Sequence, residues 1–205
     1  MAAPSGNTSG RPSPTTAAHM AEDMEGRIDA IVDGGPCSVG VESTIVDLTE
    51  TPPRLLRPGG ITLEQLESVL GRVEVDQAVT RLMSAGEKPR APGMKYRHYA
   101  PKAPVTVVAG PPERTAEHIA RSLTPGDGVI CFDEFAGEFP GCQIQRMGPA
   151  GDKSAQARHI FDALRAFDHT EVPRIWAQCP DPSGLGLAIN NRLNKAAGFH
   201  IVEVK

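Results

Sequence analysis

The chain has 205 residues, a formal net charge of −4 and 40% hydrophobic residues. That apolar content is enough for a core and excludes a disordered chain. The acidic balance excludes a broad nucleic-acid-binding face but leaves room for a local basic patch. No apolar run approaches the ~20 residues of a membrane span, and Met1-Ala2-Ala3 leads into no basic and apolar leader, so the expected setting is the cytoplasm, with no membrane partner.

Ala3 to Thr15 opens the chain with five hydroxyl side chains, two glycines and three prolines in thirteen positions. Glycine lets backbone approach a ligand closely, and proline stiffens the turns between. A loop of this kind, running straight into a helix, suits a phosphate or carboxylate; by composition it also suits a polar surface linker. Thr15 or Thr16 caps a helix to about Met24, with Gly26 just past its end. Ile28 to Asp33 reads as a strand before the turn Gly34-Gly35-Pro36. Thr44 to Leu48 and Arg54 to Arg57 read as a strand and its return, joined through Thr51-Pro52-Pro53. Thr62 and Gln65 form a capping box for a helix that Gly71 ends, and Val73 to Val75 forms a short strand.

Thr80 to Pro104 lacks apolar periodicity and reads as a linker. Arg81, Lys88, Arg90, Lys95, Arg97 and Lys102 face only Glu87, a balance of 6 − 1 = +5 in an acidic chain. Both tyrosines, Tyr96 and Tyr99, sit in it. Cations and rings together fit either a flap over a nucleotide or a solvated linker. From Pro104 onward strands and helices alternate: Val105–Val108, a helix over Glu113–Leu123, Val129–Phe132, an edge strand over Gln143–Arg146, a helix capped by Ser154, Ile175–Cys179, a helix over Gly184–Ala197, and His200–Val204. That alternation predicts a parallel-sheet α/β domain.

Single motifs for chemistry are weak. No phosphate-binding P-loop and no full dinucleotide fingerprint is present; Gly184-Leu185-Gly186 lacks the third glycine. Ser43 has no nucleophile elbow around it. His19 and His98 stand alone. Asp127, Asp133 and Glu134 read as solvated loop carboxylates. Cys37, Cys131, Cys142 and Cys179 make no C-x-x-C pair, so no zinc site is expected.

The motifs speak together. Ser9-Gly10-Arg11-Pro12-Ser13-Pro14-Thr15, Gly34-Gly35-Pro36, Val41-Glu42-Ser43-Thr44-Ile45-Val46-Asp47, Leu56-Arg57-Pro58-Gly59, Lys95-Tyr96-Arg97-His98-Tyr99-Ala100-Pro101 and the late Gly184–Leu193 segment occur in this order. So ordered, they closely resemble the two-domain threonylcarbamoyl-AMP synthases, whose catalytic domain is termed YrdC-like. The resemblance implies residues 1–80 as the C-terminal part of a twisted-sheet YrdC-like α/β domain, 81–103 as a basic lid linker, and 104–205 as a small Rossmann-like domain. It implies condensation of L-threonine, bicarbonate and ATP, with Mg²⁺, into threonylcarbamoyl-AMP and pyrophosphate, and a downstream transferase that modifies tRNA. It implies Ser5, Ser13, Arg57 and Tyr99 as ATP contacts and Ala3 and Ser43 as the threonine pocket. Lys95, Tyr96 and His98 are further lid candidates, and no protein-held metal or covalent nucleophile is implied. Family members carry a long stretch before the opening loop, with a Lys/Arg cluster and most of the catalytic sheet. Against that pattern this chain reads as a C-terminal portion, with an uncovered sheet face and weak or no synthase activity alone. The alternative is a nucleotide- or RNA-binding remnant without catalysis.

Overall fold

The computed structural model describes residues 6–8, 10–83, 86, 89–91, 94 and 98–205. The protein is α/β throughout, with two sheets. The first has the order β1-β2-β3, with β1 (Ile45–Asp47), β2 (Arg54–Arg57) and β3 (Glu74–Val75). β1 and β2 are antiparallel, as the Pro-rich turn between them predicts, while β3 joins β2 in parallel. The second sheet has five strands, β4 (Val105–Ala109), β5 (Gly128–Cys131), β6 (Gln143–Arg146), β7 (Ile175–Cys179) and β8 (Ile201–Glu203), in the order β6-β5-β7-β4-β8. Every neighbouring pair in it is parallel. Parallel strands need crossover connections, and the helices that make them cover both faces.

Helix α1 spans Ala17–Met24, α2 Leu63–Leu70, α3 Gln77–Thr80, α4 Pro112–Ser122, α5 Lys153–Ala166 and α6 Gly186–Ala196. On one face Ala116 and Ile119 of α4 pack on Val108, Val129 and Trp176. On the other, Ile160, Phe161 and Leu164 of α5 and Ile189 and Leu193 of α6 pack on Val107, Ile130 and Ala177. β7 is buried at all five positions, which explains why its sequence shows no alternation.

Local signals set most helix ends. Thr16 caps α1 by accepting from the His19 N–H, and Thr62 and Gln65 form the full reciprocal capping box of α2. Two expectations are corrected. Helix α5 is capped by Asp152, whose carboxylate accepts from the Ala155 N–H, so Ser154 lies inside the helix. Ile28 to Asp33 forms no strand: these residues are exposed and pair with no neighbour. An extended segment becomes a strand only when a partner satisfies its backbone. All the exposed large apolar side chains among the described residues lie between Ile28 and Leu82 in the sequence.

Three contacts fasten the two sheets' regions together. Asp23 of α1 is buried and accepts from Arg165 of α5 at 2.6 Å and from Arg11 at 2.7 Å. Gly40, at φ +80°, lies against the backbone of Ala157 and Arg158, where a side chain would collide with the helix. Glu64 of α2 accepts the Gly184 N–H at 3.0 Å, just ahead of α6. A carboxylate there meets the positive end of the helix dipole.

Candidate functional site

The turn after β2 is the first component of the site. Gly59 sits so close to the backbone of Glu42 and Thr44 that a Cβ would overlap it. That approach lays Arg57 along the 42–44 segment. Arg57 donates from Nε to the Ser43 carbonyl at 3.0 Å and from Nη2 to Ser43 Oγ at 3.1 Å.

The second component is the opening loop. Ser13 Oγ donates to Glu42 Oε1 at 2.9 Å. Ser13 and Arg57 therefore bond to two consecutive residues, Glu42 and Ser43. The third component is the segment after the basic linker. The Tyr99 N–H donates to the Gly10 carbonyl at 2.8 Å. Its ring is 1% exposed and stacks on Phe161 at 5.2 Å, and its backbone holds φ +64°. A bulky residue in that region is strained and stays there only when its surroundings fix it.

The fourth component comes from the second sheet's domain. Arg192 of α6, fully buried, donates from Nε to Glu42 Oε2 at 2.6 Å and from Nη2 to the Pro58 carbonyl at 3.0 Å. Its guanidinium lies 5.4 Å over the Tyr99 ring. Lys195, one turn on, is also buried, and its carbonyl faces the His98 N–H.

The charges follow. Burial opposes ionisation of Glu42, but Arg192 and the hydrogen bonds outweigh it and hold the carboxyl below its usual range. Burial, with Arg192 beside it, lowers Lys195 to about 8. Burial and the neighbouring cations also lower His98, which is then neutral at pH 7. Burial likewise pulls Arg57 down, helped by Arg192. Burial, with Glu42 close by, pushes the Tyr99 phenol up to about 12, so it stays protonated. The Glu42 carboxylate held by Arg192 also acts on Arg57 and Lys195, and Asp76 acts on Lys195 as well, so several cations gather at one place.

Of the residues singled out in the sequence, Ser13, Ser43, Arg57, His98 and Tyr99 come together here. Ala3, Ser5, Lys95 and Tyr96 lie outside the described residues. Glu42, Arg192 and Lys195 were not foreseen. Glu42 and Arg192 lie inside matched segments, but nothing local marks either as part of a site. A hollow of about 280 Å³ opens on the other side of the loop, lined by Thr15, Met20, Ile28, Ile31, Val32 and Cys37; none of the charged cluster lines it. Asp127 is engaged by Arg174 and Trp176, and Glu134 by the Ala150 N–H. Among the described residues no group of three or more His, Cys, Asp or Glu could hold a metal ion. Burial pushes the Cys131 and Cys179 thiols up to about 12, unsuited to nucleophilic work. No helix among the described residues is long and apolar enough to cross a membrane.

Comparison with known proteins gives the family. The family described as "Threonylcarbamoyl-AMP synthase, C-terminal domain" matches residues 61–198, and the family described as "Telomere recombination" matches residues 1–59. The threonylcarbamoyl-AMP synthase of Bacillus subtilis is 46% identical over 205 residues, covering 98% of this chain and 58% of the relative. That of Pyrococcus abyssi is 45% identical, covering 100% of this chain and 59% of its own length. That of Schizosaccharomyces pombe is 38% identical, covering 96% and 52%. The solved structure of P. abyssi Sua5 complexed with L-threonine superposes with a TM-score of 0.82 at 42% identity, over 98% of this chain and 59% of that one. The chain spans little more than half the length of these relatives. With the family match running through α2, four of the five strands of the parallel sheet and α6, the chain belongs to the threonylcarbamoyl-AMP synthase family.

Proposed function

We propose that this chain carries the nucleotide side of L-threonylcarbamoyladenylate synthesis. In that reaction the threonine amine adds to the carbon of bicarbonate, losing water, to give a carbamate. A carbamate oxygen then attacks the α-phosphorus of ATP and displaces pyrophosphate, a nucleotidyl transfer. The single observation that supports this reading is the gathering of Ser13, Arg57 and Arg192 around Glu42 and Ser43, with Lys195 within their electrostatic reach, beside a buried tyrosine. Such a site acts by positioning and charge stabilisation rather than through a covalent nucleophile.

The roles are those that the family resemblance implies. Ser5 and Ser13 contact the nucleotide through hydroxyls, Arg57 neutralises phosphate charge, and Tyr99 packs the flap over it. Ala3 and Ser43 border the threonine. Lys95, Tyr96 and His98 close the lid side. Mg²⁺ travels with the ATP phosphates and water, as that ion commonly does; no step here depends on a protein cage for it. The product is labile, so the consuming step is a transferase that moves the threonylcarbamoyl group to tRNA in the cytoplasm. The +5 balance of residues 80–104 supports one further reading, a nucleotide- or RNA-binding module without turnover.

The test is pyrophosphate release from ATP by the purified chain. Release that needs both threonine and bicarbonate supports synthesis. Salt-dependent tRNA binding without release supports the second reading, and failure to bind ATP at all contradicts the first.

A pH dependence follows. Lys195 is lowered to about 8, so it loses its proton, and its attraction for phosphate, just above neutrality. ATP affinity measured by calorimetry from pH 7 to 9.5 is expected to fall several-fold above about pH 8, and Lys195→Met is expected to flatten that profile. The folding linkage has the opposite sense: because the folded value lies below the unfolded one, stability contributed by this group rises between about 8 and the free-lysine value of about 10.4.

A further inference from the structure

Helix α6 is fastened to the rest of the molecule at both ends, and the two fastenings differ in what they touch. Glu64 meets the Gly184 N–H and no residue of the charged cluster. Arg192 reaches two parts of the cluster at once. Its Nε holds Glu42, which holds the Ser13 hydroxyl; its Nη2 holds the Pro58 carbonyl, which follows Arg57 directly. Its remaining fork nitrogen donates to Asn191 Oδ1 at 2.7 Å, and Asn191 in turn donates to the Val79 carbonyl at 2.8 Å. The guanidinium is thereby fixed in plane by partners from three segments of the chain. A lysine could keep the charge but not the fork, whose directions are rigid.

We propose that Arg192 is a positioning residue for the nucleotide site: through Glu42 it sets the direction of the Ser13 hydroxyl, and through Pro58 it sets the turn that carries Arg57. This rests on the nucleotide-site reading given above. It gives the C-terminal domain a part in that site that is separate from merely holding the chain together. The Ser13 proton and the Arg192 fork are both satisfied by Glu42, which holds these groups in place. Preorganisation of this kind removes the ordering cost from the binding step.

The test uses the intact chain, with ATP titrated calorimetrically against wild type, Arg192→Lys, Arg192→Gln, Glu42→Gln, the Glu42→Gln/Arg192→Gln double variant, and Glu64→Gln. Trp176 emission, far from the site in β7, reports that the sheet is intact. Expected are a loss of affinity of about 10- to 100-fold for Arg192→Gln, about 5-fold or more for Arg192→Lys, and no more than about 2-fold for Glu64→Gln. The double variant is expected to be no worse than Arg192→Gln alone, because the Arg192–Glu42 bond is already lost in either single change and the double change strands no unpaired charge. Arg192→Lys equal to wild type, or Glu64→Gln as damaging as Arg192→Gln, would overturn the proposal. Hydrogen exchange of the Gly10–Thr16 amides in the same variants decides the matter even if the wild-type chain binds no ATP. In that case the nucleotide reading fails, while faster exchange in Arg192→Gln than in Glu64→Gln still supports the positioning role. Equal exchange in the two overturns it.

Discussion

Asp23→Ala is expected to cost about 3–5 kcal/mol and to lower the melting temperature by on the order of 10 °C. The reason is the company Asp23 keeps. It is 4% exposed and sits between Arg165, itself 1% exposed, and Arg11. It also accepts the Thr8 N–H at 3.3 Å, and Arg165 donates in turn to the Pro12 carbonyl at 2.6 Å. One carboxylate therefore ties the opening loop to α5. Removing it leaves the buried Arg165 guanidinium with only the longer Glu22 contact at 3.5 Å, and that poorly compensated charge, more than the lost bond, sets the size of the effect. Replacing both partners, Asp23→Leu with Arg165→Met, is expected to recover much of the loss, since an apolar pair leaves no stranded charge. A loss below about 1 kcal/mol in thermal unfolding of Asp23→Ala would contradict the assignment.

Tyr99→Ala is the second large effect, about 3–5 kcal/mol in denaturant unfolding followed by Trp176 emission. The ring fills a place in the main core cluster against Phe161, and Arg192 lies over it. Three substitutions separate the contributions. Tyr99→Phe keeps the ring and is expected to cost less than about 1 kcal/mol. Tyr99→Gly opens the same space as alanine but suits φ +64°, so it is expected to be about 1 kcal/mol less damaging than Tyr99→Ala. That order reverses the usual preference for alanine over glycine, and an unreversed order would show that the backbone strain is not real.

What could be read in the sequence was what neighbours along the chain decide. The capping box of Thr62 and Gln65 works within one helical turn, and the buried strands of the parallel sheet announce themselves as short apolar runs. Where two caps compete within three residues, as Asp152 and Ser154 do, sequence alone does not choose; the structure gives the cap to Asp152, with the helix starting at Lys153. Ile28 to Asp33 has the composition of a strand, but the hydrogen bonds that would make it one must come from elsewhere. Helix α3, four residues long, is too short to leave a periodic trace. Ser13, Arg57 and Tyr99 sit in ordered motifs, which is why the sequence singles them out, and the structure brings them together. Arg192 is not singled out, because an arginine on a helix ordinarily faces water, and only the fold shows that this one is buried beneath Glu42, about 150 positions away in sequence.

The most direct measurement is photolabelling of the intact chain with an azido-adenine analogue of ATP, with labelled peptides identified by mass spectrometry. Label is expected on peptides holding Ser13, Arg57 or Tyr99, displaced by ATP and reduced in Arg57→Ala. Label confined to peptides remote from all three, or label that excess ATP does not displace, would contradict a nucleotide site built between the opening loop, the turn after β2 and helix α6.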